Sequence, residues 1–125
     1  MITLFVVQSC ADAKDIQRTV DSCAGITSET HHVASLAEIN STDRGNDWYA
    51  VLYDNECLDE QLLEGLKVFI EQSDADALVL FKTGDRPSKS PRLFRRHITL
   101  QSNSLMPEQD VKFETVLNGW IHDID

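Results

Sequence analysis

Three unbroken apolar runs, ITLFVV at 2–7, WYAVLY at 48–53 and ALVLF at 77–81, narrow the choice of folds sharply. A strand with one face in water alternates apolar and polar residues, whereas a run with no polar break suits a strand covered on both faces. Between the first two runs, Ala13, Ile16, Val20 and Cys23 recur at three- and four-residue steps, with Asp12 placed as an N-cap and Gly25 as a stop. After the second, Leu58, Leu62, Leu66 and Phe69 share one face, flanked by Leu63 and Ile70, while Glu60, Glu64, Lys67 and Glu71 point away. Residues 28–35 are a weaker strand signal, 36–39 a short helix and 41–47 a turn.

This alternation predicts one α/β domain over residues 1–125, a three-layer arrangement around a mainly parallel sheet. Beyond Gly84, RPSKSP is loop-like and LFRRHITL an antiparallel or edge strand. Phe113, Val116, Leu117, Trp120 and Ile121 fit one face of a final helix.

No run approaches the roughly 20 apolar residues needed to span a bilayer, and MITLFVVQSC has no basic lead. The expectation is therefore a cytoplasmic chain with neither signal peptide nor membrane anchor. A net charge of -10 opposes binding to nucleic-acid backbones, though it is compatible with an acidic surface that imitates one for a basic partner. Cys10, Cys23 and Cys57 form no CxxC pair and have no His at zinc-finger spacing, so they read as free thiols.

Functional groups in parallel sheets gather beyond the carboxyl ends of the strands, which places Gln8, Ser9 and Cys10, then Asp54, Asn55 and Glu56, then Lys82 and Thr83 on one rim. Asp54 and Glu56 can converge on a divalent cation, which prefers oxygen ligands. The same turn can instead serve as a strand-to-helix connection, with Asp or Asn capping the helix and Asp59 and Glu60 matching its dipole. Six of the 11 Lys and Arg residues fall between 82 and 96. Lys82 lies on the rim, and the guanidinium forks of Arg92 and Arg95 suit phosphate oxygens, with surface ion pairing as the competing use. Arg95 and Arg96 would face opposite ways on a strand, as would His31 and His32. His122, in GWIHDID, reads as part of a solvated tail.

The segments DWYAVLYDNECLDEQLLEGLKVFIEQSDADALVLFK, SPRLFRRHITL and ETVLNGWIHD together resemble the central part of family 2 glycosyltransferases of the GT-A type. The likeness extends to short glycosyltransferase-like proteins of tailed bacteriophages. It implies a shortened GT-A fold of the nucleotide-diphospho-sugar transferase kind, with Asp54 and Glu56 as ligands of manganese or magnesium. It also implies a nucleotide-sugar held near Gln8, Ser9 and Asp54, with Lys82, Arg92 and Arg95 as further anion contacts. Aligned on LLEGL, Glu56 takes the place of the family's final Glu, while Tyr53 and Asn55 stand where its aspartates would be. The chain is also short for an enzyme that holds both donor and acceptor. These departures motivate an alternative: a noncatalytic interaction protein, such as a phage accessory or virion component in host cytoplasm or virion, with a protein partner. A receiver-like domain with Asp54 as phosphoacceptor ranks behind both, because the first strand ends in Gln8-Ser9 instead of an acidic pair.

Overall fold

The computed structural model describes residues 1–8 and 12–124. The apolar runs form β1 (Ile2–Val7) and β3 (Trp48–Tyr53), buried along all or most of their length, and β5 (Ala77–Lys82), buried at three of its six residues. Between them lie α1 (Ala13–Ser22), β2 (Thr27–Val33), a 3-10 helix (Leu36–Ser41), β4 (Glu56–Leu58) and α2 (Glu60–Gln72). The chain ends in β6 (Ser88–Arg95), β7 (Phe113–Thr115) and β8 (Ile121–Asp123). Asp12 caps α1 by accepting from the Asp15 N–H at 3.0 Å, as its position before the helical pattern predicts.

The strands hydrogen-bond in the order β2-β1-β3-β6-β5-β8-β4, with β7 also paired to β5. β2 and β3 flank β1 in parallel, but β6 inserts antiparallel between β3 and β5. β4 and β8 pair antiparallel at the far end. The sheet is mixed and strongly curled into a half-barrel, and about 24% of the chain is helical. This corrects the expected three-layer, mainly parallel GT-A arrangement.

The physical reason lies in what covers each face. One face, with Ile2, Leu4, Val6, Leu52, Leu78 and Leu80, packs against residues of both long helices, including Ile16, Val20, Leu62 and Leu66. The other, with Phe5, Tyr49, Val51 and Phe94, is covered by Leu36 and Ile39 of the 3-10 helix and by Ile98 and Leu100 from irregular chain. Both faces are therefore dry, as the apolar runs require, but no α-helix lies on the second.

The expected final helix is also corrected. Its face divides: Val116 and Ile121 are buried, while Phe113, Leu117 and Trp120 are exposed. β7 and β8 run along β5 in parallel, and residues 116–120 between them form a turn in which Gly119 adopts φ 81°. That backbone state favours glycine and cannot continue a right-handed helix. Cys23 is buried and Cys57 half-buried, both as free thiols, and burial pushes Cys23 up to about 12. Cys10 lies outside the described residues.

Candidate functional site: a closed charge cluster at the sheet rim

Glu56 opens β4 directly after the turn at Asp54 and Asn55, and its side chain is 0% exposed. A carboxylate has about four acceptor positions, and the protein fills each of them. Arg92 donates as a fork, Nη1 to Oε1 at 2.7 Å and Nη2 to Oε2 at 2.9 Å. The Tyr53 N–H donates to Oε1 at 2.8 Å and Lys82 Nζ to Oε2 at 2.7 Å. Lys82 also reaches Asp123 at 2.9 Å, so two cations and two carboxylates balance within the cluster.

A β-bulge positions Arg92. In the β5–β6 ladder Leu78 faces Leu93 and Val79 faces Pro91, which leaves Arg92 as the extra residue. Pro91 has no N–H to contribute to a ladder, and a bulge relieves that deficit while re-aiming the neighbouring side chain. Arg92 consequently turns inward, 4% exposed, with its guanidinium 5.6 Å from the centre of the Tyr53 ring. Nε donates to Ser90 Oγ at 2.8 Å, and Nη1 also reaches the Val51 carbonyl at 3.3 Å.

Burial alone would raise the Glu56 pKa, but the Arg92 hydrogen bonds and charge, the Lys82 bond and the Tyr53 N–H together hold it below the ordinary carboxylate value of 4.5. Lys82 is desolvated, which lowers its pKa, yet its bonds to Glu56 and Asp123 carry it above 10.5. Because the Glu56 pKa is depressed on folding, its stabilisation is fully present above the unfolded value and lost as pH falls through the folded one. Lys82, raised on folding, contributes below its unfolded value and loses that contribution as pH rises through the folded one. The urea midpoint should therefore fall as pH drops below about 4.5, and in Glu56→Gln that fall should be shallower. Equal acid slopes in the two proteins would contradict the assignment.

The rim residues divide into distinct environments. Glu56, Lys82 and Arg92 converge; Asp54 is 1% exposed, with its backbone N–H donating to the Val7 carbonyl and its carbonyl accepting from Thr19 Oγ1. Gln8 is exposed, with Nε2 3.2 Å from His32 Nδ1, and Ser9 lies outside the described residues. Arg95 sits at the opposite end of the sheet. It pairs with Trp48, the first residue of β3, lies over that indole at 4.0 Å and donates to the carbonyls of Ala75 and Ser73. Ser73 is the C-cap of α2, where a cation also complements the helix dipole. A strand of six residues separates the two ends by roughly 20 Å, so Arg95 and Lys82 cannot grip one diphosphate.

The cluster does not suit a divalent cation either. Every acceptor position of Glu56 has a donor, and an ion there would sit against two positive charges. Among the described residues no group of three or more His, Cys, Asp and Glu is arranged to hold a metal.

Asp123 and the Tyr53 N–H belong to the cluster but carry no distinguishing signal in the sequence. Asp59, read as matching the helix dipole, is itself the N-cap of α2, with Oδ1 accepting from the Leu62 N–H at 2.9 Å. It also fastens the following turn, since Oδ2 accepts from the Trp120 N–H at 3.0 Å and lies 3.0 Å from His122 Nε2. His122 is thus fixed in β8, with Nδ1 3.2 Å from Thr83 Oγ1, which corrects the solvated-tail reading.

No protein-family model matches the chain, and no curated protein matches it. Among the described residues no helix is long and apolar enough to cross a membrane.

Proposed function

We propose that this chain is a noncatalytic interaction domain. The observation that carries this reading is the internal saturation of Glu56: three of the residues named for a metal or phosphate, Glu56, Lys82 and Arg92, are engaged with one another. Removing Arg92 or Lys82 from Glu56 to meet an incoming anion would expose a buried carboxylate to an uncompensated environment, a cost of several kcal/mol that ligand binding would first have to offset. A second, supporting feature is the distribution of apolar surface. Val68 and Leu117 are both exposed and line one groove, and apolar surface grouped in this way is characteristic of protein contacts.

Calorimetric titration with uridine and guanosine diphosphate-sugars, with and without manganese, tests the reading against its competitor. The expected result is no saturable heat under either condition. Saturable binding that disappears in Lys82→Ala would overturn the reading and restore a diphosphate site.

A further inference from the structure

Resting on that reading, we propose that the groove between α2 and the turn at residues 116–120 docks an apolar side chain presented by a positively charged peptide segment of a partner protein. The groove is open to solvent and has a volume of about 840 Å³, room for a side chain presented from outside. Gly65 and Asn118 meet at its base, where the absence of a side chain on Gly65 lets the turn approach the helix. Val68 and Leu117 supply its apolar wall and are 51% and 76% exposed.

Leu117 is held in position although it is open to solvent. On one side of it the Val116 N–H donates to the Val79 carbonyl at 2.9 Å. On the other, Trp120 is fastened in both directions to Asp59, N–H to Oδ2 at 3.0 Å and carbonyl to N–H at 3.1 Å. A large apolar side chain on backbone that is already clamped spares the cost of ordering that backbone on binding, which favours its use as an anchor.

Charge selects the occupant. Glu60 and Glu64 line the groove, no Lys or Arg does, and Lys67 neutralises Glu64 in part at 2.9 Å. With a net charge of -10 behind it, the groove attracts a segment that flanks its apolar residue with Lys or Arg and repels an acidic one. The carboxylates beside the apolar wall therefore set the sign of the partner's charge.

The test uses the full isotopically labelled chain and a synthetic amphipathic helix of leucine and lysine as probe. Leucine/glutamate and serine/lysine versions serve as controls. The expected result is a saturable shift of the Gly65, Asn118 and Gly119 amide signals with the leucine/lysine probe only, weakened about tenfold or more by Leu117→Asp. Glu60→Gln with Glu64→Gln should weaken it less and flatten its salt dependence. Leu117 is exposed, so its substitution leaves folding intact. Equal binding of either control peptide, or indifference to Leu117→Asp, would overturn the proposal. So would self-association in sedimentation that Leu117→Asp abolishes, because a second copy would then occupy the groove. These outcomes are separate from diphosphate binding at Lys82, which bears on the interaction-domain reading alone.

Discussion

Replacing Glu56 with glutamine is expected to destabilise the fold by about 3 kcal/mol or more, because it leaves the Arg92 charge buried without its counter-ion. Arg92 is 4% exposed and cannot reach water without breaking its bonds to Ser90 and the Val51 carbonyl. For a domain of this size that loss lowers the melting temperature by roughly 10 °C. The contrast within the same cluster is informative: Asp123→Asn removes a half-exposed partner of Lys82 and should cost no more than about 1 kcal/mol. A buried ion pair repays its desolvation only in part, so the joint replacement Glu56→Leu with Arg92→Leu should recover much of the loss. Urea unfolding of the four proteins checks all three expectations. A Glu56→Gln protein as stable as the parent would mean that the cluster does not hold the half-barrel together.

The second large effect is expected at Gly119. A Cβ added there would fall inside van der Waals contact of Asp59 Oδ1 and the Leu62 backbone N, and the residue already adopts φ 81°. Left-handed backbone costs an alanine about 1–2 kcal/mol, and displacing Asp59 forfeits an N-cap worth about 1 kcal/mol. Gly119→Ala should therefore destabilise by roughly 2–4 kcal/mol and expose the N-terminal turn of α2 to hydrogen exchange. Gly25→Ala provides the counter-case. Its new Cβ would stand 3.5 Å from Leu63 Cδ2 and Lys67 Cε, ordinary contact, and there the change should be neutral or stabilise slightly. Equal stabilities for the two variants would contradict the role given to the turn.

Much of the frame was legible because it rests on local pattern. β1, β3 and β5 follow from runs too apolar to have a wet face, and α1 and α2 follow from three- and four-residue spacing, with Asp12 legible as the first cap and Asp59 legible only as a match to the second dipole. Neighbour relations were not legible, since periodicity does not state which strand lies beside which. The insertion of β6 between β3 and β5 depends on a hairpin closing after β5, and both long helices pack on one face. At 113–121 the spacing matched a helix, but Asn118-Gly119 was the stronger signal and tertiary pairing to β5 prevailed. Asp54 and Glu56 stood in a favourable place for a site. What the turn could not reveal is that Pro91 sits at a bulge, which swings Arg92 from a surface position into contact with Glu56.

Carbon-detected resonance of the Glu56 carboxyl, followed during acidification and during addition of manganese, addresses the closed cluster most directly. The account predicts that this signal remains that of a carboxylate below pH 4.5, the ordinary glutamate value, and that substoichiometric manganese leaves it sharp. Selective broadening of the Glu56 signal by manganese, with or without a diphosphate-sugar present, would contradict it.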